Sequence, residues 1–283
     1  MKTNNIYSFA KRQPLLVAML IIALLLFGAL AGCSPNNADS SVRTQDLSEP
    51  LGDVTTAKFD VNTGTGNLTI DQLTGGEPLL AGGSLEYLES QGVPTRSLTT
   101  INDQATLTWA ASGTQQTGFR FPWEACNGET EWLIHLNPRV SYDLNAYSEG
   151  GNVKLNLAGL AFTRITAETG GGNMEMTLPD HTANLSVMGK TGGGNVTVAI
   201  GSSITGSHTV NASSGAGSVV VRLPGGIAAR IHVASGMGNA IVDPSFTPID
   251  NKTYQSPDYD SAANRVEITA DSGAGNVTIE TIE

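Results

Sequence analysis

Gly170-Gly171-Gly172-Asn173-Met174-Glu175-Met176-Thr177-Leu178 is followed 22 residues later by Gly192-Gly193-Gly194-Asn195-Val196-Thr197-Val198-Ala199-Ile200. Both segments carry a glycine run, an asparagine and then apolar residues at every second position. Working outward, the pattern returns as Gly64-Thr65-Gly66-Asn67, Gly150-Gly151-Asn152, Gly215-Ala216-Gly217-Ser218, Gly236-Met237-Gly238-Asn239 and Gly273-Ala274-Gly275-Asn276. With the Asn or Ser as marker, the copies from 152 to 239 fall 21, 22, 23 and 21 residues apart. A fixed period of this length is the signature of a solenoid, in which each repeat buries its apolar face against the next.

Alternation at period two means a strand with one buried face. It follows every marker: Val153, Leu155 and Leu157; Met174, Met176 and Leu178; Val196, Val198 and Ile200; Val219, Val221 and Leu223. A second alternating pair comes about a dozen residues on, as Ile165 with Ala167 and Val210 with Ala212. Each coil therefore holds at least two strands, and the chain reads as an all-β, single-stranded β-solenoid. The glycines between the strands are expected to supply positive φ at a sharp corner. Stacked in register at about 4.8 Å per coil, the markers Asn67, Asn152, Asn173, Asn195, Ser218, Asn239 and Asn276 predict a ladder of side-chain amides that satisfies polar groups at the corner. A row of ligands is the competing reading of these residues, and the structural one is simpler.

The flanks are less regular. Markers 67 and 152 lie 85 residues apart, and 239 and 276 lie 37 apart. Strand-like alternation continues in the first gap through Ala105, Leu107 and Trp109 and through Trp132, Ile134 and Leu136. The solenoid is thus expected over 53–283, with loop insertions near 111–130 and 243–262. Residues 33–52, rich in Asn, Asp, Ser and Pro, read as a flexible tether.

Ahead of the tether, Lys2, Lys11 and Arg12 precede a 17-residue apolar run from Leu15 to Ala31, the layout of a secretory signal over residues 1–32. The run ends in Leu30-Ala31-Gly32-Cys33, which resembles the lipobox of bacterial lipoproteins. That resemblance implies cleavage before Cys33 and a covalent lipid on its thiol, the only prosthetic group expected. The uncleaved alternative is a short transmembrane anchor. A lipidated chain would be held at a membrane and face outward, on the plasma membrane or, in a two-membrane cell, the outer membrane. Cys126 is then the only other cysteine, so no internal disulfide is expected, and Cys126 reads as a small apolar loop residue.

The formal net charge is -11 before signal removal, which would strip three positive charges and no negative ones. Clustered Lys and Arg are what phosphate backbones require, so nucleic acid is not an expected partner. The glycine clusters lack the phosphate-loop pattern and no helix follows them. Calcium-binding β-rolls place Asp where this chain has Met174, Val196, Val219 and Ala240. His135, His181, His208 and His232 are scattered with no metal-ligand spacing. Asp180 and Asp243 stand beside Pro179 and Pro244 as turn residues. No catalytic or metal site is read. The surface candidates are Phe119, Phe121 and Trp123 in the first insertion, aromatic side chains able to bind an envelope glycan or protein, or alternatively to cover an edge of the sheet. Tyr254 and Tyr259 carry the same two readings.

The stretch 53–283 resembles the toast-rack domains of bacterial envelope proteins, a group that includes lipoproteins and is related to adhesin-head and stress-response modules. The residues that carry the resemblance are Asn62-Thr63-Gly64-Thr65-Gly66-Asn67-Leu68-Thr69-Ile70, Leu136-Asn137-Pro138, Leu155-Asn156-Leu157-Ala158-Gly159-Leu160, Thr169-Gly170-Gly171-Gly172-Asn173 and Leu178-Pro179. It implies a right-handed β-solenoid without known catalytic residues. The expected role is a lipid-anchored, non-catalytic binding, adhesion or structural module of the cell envelope. Two alternatives are an envelope-stress accessory protein and a polysaccharide-active β-helix enzyme.

Overall fold

A computed structural model describes residues 41–113 and 130–282. The strands of the first part are β1 (Val42–Pro50), β2 (Thr56–Asn62), β3 (Asn67–Gln72), β4 (Leu79–Leu88), β5 (Thr95–Ile101) and β6 (Gln104–Ala110). The regular part comprises β7 (Glu131–Leu136), β8 (Ser141–Ser148), β9 (Val153–Asn156), β10 (Ala161–Thr169), β11 (Met174–Thr177), β12 (Ser186–Thr191), β13 (Val196–Ala199), β14 (Ser207–Ser214) and β15 (Val219–Pro224). The last part holds β16 (Ala228–Ser235), β17 (Ala240–Val242), β18 (Thr247–Pro248), β19 (Thr253–Gln255), β20 (Arg265–Ser272) and β21 (Val277–Ile282).

These strands form two sheets, and every coil gives one strand to each. The first sheet runs β1-β4-β7-β3-β9-β11-β13-β15-β21-β17 and the second β18-β19-β16-β20-β14-β12-β10-β8-β2-β6-β5. Pairing is parallel and in register through the middle, so that Met174 lies beside Val153 on one side and Val196 on the other. The apolar positions named above point between the sheets and are buried, Ile165, Val187, Val210 and Ile231 from the second sheet facing Leu155, Met176, Val198 and Val221 from the first. Toward the β1 end the interior is filled by rings, with Phe59 edge-on to Trp109 at 4.9 Å and Tyr142 tilted over Phe162 at 5.6 Å. In the middle, Gly189 faces inward because Met174 and Met176 occupy the space a Cβ would need.

The corners differ from expectation in their physical cause. Of the marker glycines only Gly64 has positive φ, at 62°. The others are glycine because consecutive corners lie backbone against backbone. A Cβ on Gly194 would collide with the carbonyl of Gly172, and one on Gly172 with that of Gly151. Gly193, in the same turn, meets only Gly171 at 3.8 Å, ordinary contact.

A hydroxyl, buried in every copy but the partly buried Ser235, precedes each of these turns. Thr191 Oγ1 donates to Gly172 O of the coil before (2.8 Å) and accepts from Gly194 N (3.2 Å). Thr169 does the same between Gly151 O and Gly172 N, Ser214 between Gly194 O and Gly217 N, Ser272 between Gly217 O and Gly275 N, and Ser235 between Gly275 O and Gly238 N. Ser148 bonds Gly66 O and Gly151 N in the same way. Each hydroxyl thus satisfies one donor and one acceptor of the corner backbone.

The order of the coils departs from the order of the sequence at both ends. The step from marker 218 does not lead to 239: β15 pairs with β21, and β17 lies beyond it. In the second sheet β20 likewise sits between β14 and β16. The C-terminal coil is therefore laid between two coils that precede it in the chain. At the other end β2 and β3 lie between the β6–β7 coil and the β8–β9 coil. Sequence order fails here because every coil offers the same edge to its neighbour, and the long segments 73–136 and 243–262 give the chain length to return.

Those segments also close the ends. Residues 33–52 were expected to be a tether, but Val42–Pro50 is an edge strand, antiparallel to β4, with Leu47 buried beneath it. Its polar composition hid it, since an edge strand needs only one apolar contact and gains from charge on its free side. β4 and β5 add antiparallel to β7 and β6. The 243–262 excursion is not all loop. It contains β19, which adds antiparallel to β16, β18, which adds antiparallel to β19 at the edge of the second sheet, and Phe246, which is buried against the core.

Two pairs of substitutions separate these causes. Gly194→Ala should lower stability by about 1–3 kcal/mol through overpacking, whereas Gly193→Ala should be neutral within error, as read by thermal unfolding. Thr191→Val keeps shape but orphans Gly194 N–H and Gly172 C=O, and should cost about 1–3 kcal/mol. Thr209→Val, exposed on the same sheet, is its control; equal melting temperatures for the two would contradict the role assigned to the hydroxyl.

Candidate functional site

The markers come together along one corner of the stack. Asn152 N donates to Asn67 Oδ1 (2.8 Å), Asn173 N to Asn152 Oδ1 (2.9 Å), Asn195 N to Asn173 Oδ1 (2.9 Å) and Ser218 N to Asn195 Oδ1 (2.8 Å). Asn276 N then donates to Ser218 Oγ (3.2 Å) and Asn239 N to Asn276 Oδ1 (2.9 Å). The bonds run from backbone N–H to side-chain oxygen of the preceding rung. Only Asn195 Nδ2 reaches another amide, Asn173 Oδ1, at 3.3 Å. The row spends its oxygens on the neighbouring coil, which leaves little for a ligand.

Cys33, Phe119, Phe121, Trp123 and Cys126 lie outside the described residues. Tyr259 is buried, with the guanidinium groups of Arg230 and Arg265 at 4.4 and 5.5 Å from its ring, and Tyr254 packs on the core from β19. Both serve the end cap.

The histidines are not gathered. His135 pairs with Asp71 on the outside of the first sheet. His208 is buried, its Nε2 3.0 Å from Thr205 O, and burial holds its pKa below the ordinary value. His232 lies 3.4 Å from Thr253 Oγ1. Asp243 accepts from Ser245 N within its own turn, while Asp180 accepts from Ser202 N and Asp243 from Thr281 N across to adjacent coils. Among the described residues no three His, Cys, Asp or Glu side chains are placed to hold a metal ion.

One surface feature escaped the sequence reading. On the outer face of the second sheet, strands β6, β2, β8 and β10 form a groove of about 380 Å³. Strand alternation puts Val61, Trp109, Ala146 and Ala167 inward and their neighbours outward. The register then aligns two rows across the strands. One is Thr108–Asp60–Asn145–Thr166, the other Ala110–Asn62–Tyr147–Glu168. The second row sets a methyl and a short amide beside a phenol and a longer carboxylate, which leaves a depression next to Tyr147.

Part of the lining is fixed. Asp60 receives Lys58 Nζ on one oxygen (2.8 Å) and Asn145 Nδ2 on the other (2.7 Å). The coupling raises the pKa of Lys58, first through the hydrogen bond and then through the charge of Asp60. Asn62 Oδ1 accepts from Gly64 N (2.9 Å), which orients its amide. Tyr147 is 42% exposed. The lining residues come from four separated stretches, so only the pairing register could have assembled them.

With this geometry in hand, the chain can be compared with known proteins. Residues 36–199 match the family model described as the N-terminal domain of toast_rack, DUF2154. No curated protein matches. A solved structure of a candidate cell adhesion protein from Clostridium sporogenes is similar over 86% of this chain and 100% of its own, with 19% identity and a TM-score of 0.61. A candidate adhesin from Bacteroides fragilis aligns over 88% of this chain and 100% of its own at 10% identity, but its TM-score of 0.29 carries no weight. The first likeness bears on the fold alone. The family match spans more than half of the sequence and includes the corners at 67, 152, 173 and 195, and on that ground the chain belongs to the toast-rack family.

Proposed function

We propose that this protein is a lipid-anchored, extracytoplasmic binding or adhesion module of the cell envelope that performs no catalysis. The observation that carries the reading is the groove on the second sheet, a recessed polar surface with a half-exposed ring, built on rigid strands rather than loops. Within it Asp60, with one oxygen engaged by Lys58 and the other by Asn145, orders the polar lining. The Clostridium sporogenes neighbour, named for cell adhesion, is consistent with a role in attachment.

The anchor rests on the N-terminal sequence. A charged start, an apolar run and Leu30-Ala31-Gly32-Cys33 support lipid transfer to Cys33 with the chain facing outward. Two or three acyl chains hold a protein durably, at about 0.8 kcal/mol per buried methylene. Among the described residues no helix is long and apolar enough to cross a membrane.

Two measurements test this reading. Alkyne-tagged palmitate fed to the producing cells should label the wild-type protein, and Cys33→Ala should lose the label; equal labelling of the variant would overturn lipid anchoring through Cys33. Phospholipid vesicles carrying the full-length chain should adhere to envelope material without releasing soluble sugars. Release of reducing ends from a cell-wall or extracellular polysaccharide would instead establish the enzyme alternative.

A further inference from the structure

The groove beside Tyr147 has a chemistry that selects among ligands. Asn62 has its amide oxygen committed to Gly64 N, so its Nδ2 is the end left to donate. The hydroxyls of Thr108, Thr166 and Tyr147 and the carboxylate of Glu168 make no side-chain hydrogen bond to another described residue, although all line the same depression. The lining thus offers donors and acceptors together, alongside one aromatic ring. Asp60 and Glu168 make it unfavourable for an anion. A flat aromatic ligand could use the ring and would leave the polar groups unpaired, which is costly once water is displaced.

We propose that this groove is a binding subsite for a neutral glycan, with the Tyr147 ring as the platform for the C–H face of a sugar and Glu168, Asn62 and the two threonines as partners for its hydroxyls. A pyranose ring is the common ligand chemistry that pairs an apolar C–H face with hydroxyls that both donate and accept. The volume of about 380 Å³ lies within the range of about 300–1,000 Å³ typical of small-molecule sites. Part of the lining is pre-formed, since Asp60 and Asn62 are already fixed by Lys58, Asn145 and Gly64 and need no ordering on binding. The inference rests on the binding reading above and narrows it to one ligand class and one place.

The test uses the full-length chain in phosphatidylcholine vesicles. Maltohexaose, cellohexaose and chitohexaose serve as neutral probes, with a hexamer of galacturonic acid as the acidic counterpart, read by saturation-transfer NMR and titration calorimetry. At least one neutral probe should bind and the acidic one should bind more weakly. Tyr147→Ala should weaken binding by about tenfold or more, because the ring supplies most of the contact area. Tyr147→Phe should stay within about threefold, because the stacking face is kept, and Glu168→Ala should lose about threefold or more through a missing acceptor. The variants should melt with the wild type. Absence of binding by every neutral probe, preference for the acidic probe, or unchanged affinity in Tyr147→Ala overturns the proposal. If the vesicles still adhere to envelope material in that case, the glycan inference alone fails; if adhesion is absent as well, the binding reading fails with it.

Discussion

Successive corners of this protein lie so close that the backbone of one glycine rests against the carbonyl of the coil before it, and every other feature of the stack follows from that approach. A side chain at Gly172, Gly194 or Gly217 would force the coils apart and break the parallel pairing on both sides of the corner. Close approach in turn partly shields peptide groups from water, so each corner needs an internal donor and acceptor. The hydroxyls of Thr169, Thr191 and Ser214 supply both from one atom. Outside them, the marker oxygens accept the next N–H along the edge. Apolar burial between the sheets provides the driving force, and the corners determine that it is spent in one register.

A repeated interface has a consequence for topology. If each coil presents the same edge, neighbours in space need not be neighbours in sequence. The chain uses this freedom at both ends, where β20–β21 enters between β14–β15 and β16–β17, and β2–β3 lies inside β6–β7. The terminal coil is thereby held on both faces instead of fraying, and the exposed position passes to a coil that a loop can cover. The covering elements also blunt the edges. β18 is two residues long and ends in Pro248, while β1 carries Arg43, Asp46 and Glu49, the devices by which sheets avoid pairing with other chains.

What the sequence made legible was the part governed by local and periodic constraints. The two strands per coil, the buried positions and the corner markers could all be read, because period two and glycine runs leave visible traces. The reason for the glycines could not, since positive φ and close approach give the same residue. The hydroxyl four positions before each marker, from Thr63 to Ser272, was present in all seven copies and was missed because Ser and Thr are common in turns. Strand β1 was hidden by its polar edge, and the intercalated order by the equivalence of the coils. The groove was invisible for another reason: Asp60, Thr108, Tyr147 and Glu168 are brought together only by pairing register.

The most distinctive property of the stack is that order, with interchangeable edges and a C-terminal coil laid inside it. Paired cysteines on the outer face of the first sheet test it directly. Val220 pairs with Thr278, and Thr278 with Ile241. Parallel neighbours lie about 4.8 Å apart, inside the span of a disulfide, whereas a second spacing exceeds its limit of about 7 Å. Under mild oxidation, with the products mapped by mass spectrometry, Val220→Cys with Thr278→Cys should cross-link in the folded protein and Val220→Cys with Ile241→Cys should not. Cross-linking of the second pair in preference to the first would contradict the account.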